Sequence, residues 1–200
     1  MKQLDKVVLY AVSQALTVFR ANLSTYVPQI FGDESPANQA EITTWWGNAA
    51  NQVVCSVGWA QQAIQMPGIW AILLPAQEPD DAELAQWGYL ATTGTQRTYA
   101  IPTREAVSLV CASPNQNQVL WLQALVKWAL YVQRPVLETG WGLLMQRLAA
   151  GSLEPYADSL HDVVWPFRRV WTLSCLYYDQ YEPLPPEAVT AVSVTPEVNP

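Results

Sequence analysis

The residues able to do chemistry are few and scattered. The chain holds one histidine, His161, with Asp158, Ser159 and Asp162 around it. A serine triad needs nucleophile, base and orienting acid to converge in space, and adjacency in sequence does not supply that. No G-x-S-x-G elbow is present, so a loop histidine ahead of a strand is the better account. Cys55, Cys111 and Cys175 are far apart and form no C-x-x-C pair. One histidine with three separated thiols makes no evident zinc set. The cysteines read as buried thiols of a reducing compartment rather than a disulfide frame. Asp80, Asp81 and Glu83 lack the spacing and the glycine of a calcium loop. Nine glycines include no phosphate loop. The expectation is a non-enzymatic protein with no catalytic group, no cofactor and no metal.

Tryptophan is what the chain has instead: ten in 200 residues, against a charged fraction of 14%. Ordinary soluble domains carry roughly 25% charged residues. Low charge with abundant Trp and Tyr points to a surface partly covered by partner subunits, because interface cores lose charge and gain aromatics. The net charge of −7 argues against a nucleic-acid reader. No basic residue falls between Arg20 and Arg97, whereas seven acids do. That gap reads either as a solvated acidic surface or as one that lets polyanions pass without sticking. Candidate interface residues are Trp45, Trp46, Arg168 and Arg169. Adjacent tryptophans on a helix point about 100° apart, so one core does not use both. Core, protein interface and sugar-stacking platform all remain open for that pair. Arg168 and Arg169 begin a strand on opposite faces, so at least one reaches solvent or an acidic partner.

The elements that must position these residues follow from periodicity. Leu4, Val7, Val8, Ala11, Ala15, Leu16, Phe19 and Leu23 form one helical stripe to about Tyr26, with Pro28 past its end. Ser35-Pro36 reads as an N-cap and first-turn proline of a second helix. Its spacing continues to Ile64, with a break expected near Gly58, although Val53-Val54-Cys55 favours a strand. Ile69–Leu74 is a short apolar strand. Arg97–Pro102 and Ala106–Ala112 are two more, after a turn at Thr92–Thr95. Ser113-Pro114 caps an apolar helix over Asn115–Arg134, and Trp141–Ala149 reads as a short amphipathic helical piece closed by Gly151. The longest strand begins past Pro166, with Trp171, Leu173, Cys175 and Tyr177 as its core face. The predicted fold is α+β: a small, mostly antiparallel sheet flanked by helices. Residues 1–182 form a single domain in which 32–66 are an insertion or extra helix. Residues 183–200 form an extended or disordered Pro-rich C-terminal arm. No signal peptide and no membrane span is read.

This order of elements, with Pro-Gly-Ile-Trp-Ala-Ile-Leu-Leu-Pro, Val-Leu-Trp-Leu-Gln-Ala-Leu-Val-Lys-Trp-Ala-Leu and Arg-Arg-Val-Trp-Thr-Leu-Ser, resembles the tail terminator and neck proteins of tailed bacteriophages. The likeness covers roughly residues 67–182 and the first helix. It implies a structural virion protein, assembled in the host cytoplasm, that forms a ring, commonly a hexamer, at the head–tail junction. It further implies contacts with the tail tube, with sheath proteins and with the head connector, while DNA passes without specific binding. The rival class is a carbohydrate-binding module that uses Trp45, Trp46 or Trp141 as stacking platforms.

Overall fold

A computed structural model describes residues 3–58, 66–74, 88–93, 96–155 and 167–181, with side chains over 3–58, 66–74, 103–155 and 167–177. The loop around His161, the acids Asp80, Asp81 and Glu83, Gly94 of the expected turn and the Pro-rich arm lie outside the described residues. The chain divides into two compact units, Met1–Glu78 with Arg104–Tyr177, and Pro79–Thr103 with Tyr178–Pro200.

The first unit is α+β. Helix α1 (Leu4–Ala21) buries the predicted stripe. It gives way at Asn22 to α2 (Leu23–Ile30), which carries Pro28 inside it rather than past its end. Proline costs the helix one hydrogen bond. Val27 is buried beside it and accepts the Phe31 amide through its carbonyl at 2.9 Å, so packing carries the turn through. The chain then doubles back so tightly that a Cβ on Gly32 would stand 2.7 Å from the Pro28 carbonyl oxygen. Ser35 caps α3 (Pro36–Gly47), its hydroxyl accepting from the Asn38 amide at 3.3 Å, with Pro36 in the first turn.

The expected continuation of this helix is not formed over the described residues 48–58. The helix stops at Gly47, and β1 (Val54–Val57) follows. A distant residue bears on this: the Arg20 guanidinium donates to the carbonyls of Asn48 and Asn51, the latter at 2.8 Å. Those carbonyls are thereby taken from any helical ladder, and the β-branched Val53-Val54 run goes to the sheet.

The sheet path is β1, β2 (Gly68–Leu73), β4 (Gln96–Ser113), β7 (Phe167–Tyr181) and β5 (Leu144–Ala150), with β6 (Glu154–Pro155) also on β7. Strands β1 and β2 are parallel, whereas β2–β4 and β5–β7 are antiparallel, so the sheet is mixed. Arg97–Pro102 and Ala106–Ala112 belong to one strand, β4. In the second unit its Gln96–Ala100 stretch pairs antiparallel with β3 (Gly88–Thr93). The expected helical piece over Trp141–Ala149 is instead a strand from Leu144. A nine-residue helix is marginal by itself, and the neighbouring edge of β7 offers a complete ladder.

Helix α4 (Gln116–Pro135) packs with α1 over one face of the sheet. Asn115 caps it, and Ser113 Oγ accepts the Asn115 amide while donating to Gln118. Ile69 and Ala71, Val107 to Cys111 at alternate positions, and Trp171, Leu173, Cys175 and Tyr177 supply the sheet side of this core. The Trp171 indole N–H donates to the Gln123 carbonyl at 3.1 Å, tying β7 to α4. On the opposite face Trp70, Val110 and Ala112 form a second buried cluster. Gly68 has no side chain because the Trp70 ring occupies that place.

Aromatic rings join the helices to one another. Phe19 meets Trp46 edge-on at 5.4 Å and Trp128 at 6.1 Å, Tyr26 meets Trp128 at 5.0 Å, and Trp45 lies between Trp46 and Trp121. Replacing Trp46, 2% exposed, by Ala is expected to cost about 3–5 kcal/mol in denaturant unfolding. Replacing half-buried Trp45 should cost less than half of that. Equal losses would contradict this division of roles.

Candidate docking face

The four interface candidates do not converge. Trp46 is buried and Trp45 is packed against the same core between α3 and α4, so one core does use both, contrary to the expectation from their 100° separation. Arg168 pairs with Glu154 at 2.7 Å, bridging β7 and β6. The Arg169 Nε–H donates to the Gly151 carbonyl at 2.9 Å. Both arginines therefore brace the turn that leads from β5 into β6.

A different set of side chains is exposed, and of these only Trp141 stands out in the sequence, as a possible stacking platform. At its C-terminal end α4 reaches Pro135 and widens into a π-turn over Val136–Gly140. Pro135 has no N–H to continue an ordinary ladder. Leu137 and Leu143 are both fully buried, and the Leu143 amide donates to the Leu137 carbonyl at 2.9 Å. Gly142 between them sits at φ +62°, a conformation that glycine adopts without steric cost. This anchored loop leaves Trp141 43% exposed.

The π-turn packs against α1, α4 and β5. From α1, Lys6 and Tyr10 lie one turn apart on the outer face, and with Val7 and Trp141 they line a groove of about 300 Å³. From α4, Tyr131 lines a second groove with Arg134, Met145 and Arg147. Tyr10 is 59% and Tyr131 57% exposed, and Val132, Val136 and Leu144 are exposed as well. Leu144 opens β5, which ends the sheet path and pairs only with β7 among the described residues. A terminal strand of the sheet path and a set of exposed apolar side chains thus lie on elements that meet at the same π-turn.

All three thiols are raised above their ordinary range. Burial pushes Cys55 up to about 11. Burial, with the Glu105 carboxylate second, pushes Cys175 up to about 12. Cys111 is raised by burial and then by Cys55. Nucleophilic attack needs the thiolate, and burial disfavours that form in each of them. Glu105 itself, 3% exposed, keeps one carboxylate oxygen without a hydrogen-bond partner among the described residues. Nothing in the sequence around Glu105 marks it as buried; only its alternation with Val107 and Leu109 does.

Among the described residues no group of three or more His, Cys, Asp or Glu is placed to hold a metal, and no helix is long and apolar enough to cross a membrane. No protein-family model matches the chain, and no curated protein matches it significantly.

Raised thiols carry a pH signature. Below their ordinary value of 9.0 they are protonated in both folded and unfolded chains. From about 9 to 12 the unfolded chain loses these protons first, so folding stability falls as pH rises through that window. Denaturation midpoints across this range should drop, and Cys175→Ala should drop less steeply than the parent. Identical slopes would contradict the assignment.

Proposed function

We propose that the chain is a structural subunit that associates with copies of itself, and that the assembly is a ring, commonly hexameric, at the head–tail junction of a tailed bacteriophage. In this role it ends the tail tube and presents a surface to the head connector. One observation carries the self-association: Tyr10, Tyr131, Val132, Val136, Trp141 and Leu144 are exposed on elements that meet at one π-turn. Exposed apolar side chains grouped in this way mark interaction sites, and buried aromatics dominate interface energetics.

The phage assignment rests on the order of sequence elements and on charge. A DNA conduit works best with a non-basic lining, since each phosphate neutralised by Lys or Arg adds affinity and slows passage. A net charge of −7 and the stretch without basic residues from Arg20 to Arg97 suit that lining. Low overall charge suits lateral faces that close a ring through heterologous contacts.

A carbohydrate-binding role is favoured by one specific observation. Tyr10 and Trp141 line the same groove, as paired rings do when they stack on a sugar. Binding to a broad glycan panel, followed by tryptophan fluorescence, separates the two readings.

Light scattering and negative-stain imaging test the leading reading. The expected result is a closed multimer that Trp141→Asp with Tyr131→Asp converts to monomer while helix content is kept. A parent chain that stays monomeric at every concentration would overturn it.

A further inference from the structure

A separate pocket opens between α1, α3 and β1, and it shares no residue with the groove beside the π-turn. Ser13, Leu16 and Arg20 stand three and four residues apart, on one face of α1. With Trp46, Val53 and Cys55 they line a space of about 130 Å³. A cavity of about 150 Å³ accepts benzene, so this one suits a guest of roughly five or six heavy atoms.

Arg20 sets the charge of the pocket. Its guanidinium donates through Nη2 to both the Asn48 and Asn51 carbonyls, which holds the head group in place. Arginine also carries hydrogens on Nε and Nη1, and these stay available. No acid lines the pocket, and among the described residues Arg20 pairs with no carboxylate. The other ionisable group in the lining is the Cys55 thiol, which burial pushes up to about 11, so it adds no negative charge at neutral pH. A cation already ordered by the backbone and lacking an internal counter-ion favours an anion at small ordering cost. Leu16, Val53 and Trp46 add apolar surface, so the anion best suited carries one charge and an alkyl part.

We propose that this pocket binds a short aliphatic monocarboxylate, its carboxylate against Arg20 and its tail along Leu16 and Val53. Inorganic phosphate fits the same pocket less well, because it would set polar oxygens against those two aliphatic side chains without partners. The proposal does not rest on the self-association reading.

Equilibrium dialysis of radiolabelled propionate against the full-length chain tests this. Binding should saturate with a Kd on the order of 1 mM, within reach of so small a ligand, and unlabelled propionate should displace it. Propionamide, similar in size and uncharged, should compete at least about tenfold more weakly with the unmodified protein, and inorganic phosphate likewise. Ser13→Met fills the pocket and leaves Arg20 with its two carbonyl partners. It should weaken binding at least about tenfold, while circular dichroism shows the parent helix content. The site would be overturned by a lack of saturable binding, by propionamide or phosphate competing as well as propionate, or by a folded Ser13→Met chain that binds like the parent.

Discussion

The fold depends on one aromatic cluster that lets four helices share a single side of the sheet. Helices α1 and α4 are amphipathic enough to cover the sheet unaided. Helix α3 is not: only Ile42 and Trp46 are buried, one turn apart. It is held because Trp46 sets its edge against Phe19 of α1, while Trp45 spans to Trp121 of α4. Each such pair contributes about 0.5–1.5 kcal/mol beyond the area it buries. The cluster also carries a cost. Trp46 Nε1 is buried without a hydrogen-bond partner among the described residues, an omission worth about 1–3 kcal/mol. Packing of the indole has to exceed that.

Once those rings are turned inward, the aromatics left outside are informative. Pro135 ends α4, the π-turn redirects the chain, and buried Leu137 and Leu143 pin the loop from either side. A loop fixed in this way holds Trp141 in one place at little ordering cost, which is what a recognition residue needs. The scaffold thus does two jobs with one residue type. Buried tryptophans make the helical layer, and an exposed one, Trp141, lines a groove with Tyr10.

Much of this was legible in the residues, for physical reasons that differ from element to element. The α1 stripe as far as Phe19, the Ser35-Pro36 cap and the alternating core face of β7 follow from local backbone geometry, and the structure matches them; α4, apolar on nearly every side in sequence, leaves Leu120 and Val132 exposed. What eluded the sequence was decided at long range. The end of α3 depends on Arg20, 28 residues away, taking the Asn48 carbonyl. The strand β5 exists because β7 offers it an edge, against a local pattern that reads as helix. The exposed face depends on a π-turn, whose wider ladder leaves no periodic trace. The sequence offered Trp45, Trp46 and Trp141 as stacking platforms, and among the described residues Trp141 is the exposed indole of the three, on a segment whose spacing reads as helix.

Hydroxyl-radical footprinting across a dilution series tests the central claim most directly, because it reads Tyr10, Tyr131 and Trp141 individually in the unmodified protein. If these rings exist to be covered by copies of the same chain, their oxidation should fall sharply as the protein is concentrated into its assembled form, while the buried Trp46 stays protected throughout. Oxidation of Tyr10, Tyr131 and Trp141 that is the same in dilute and concentrated samples would contradict it.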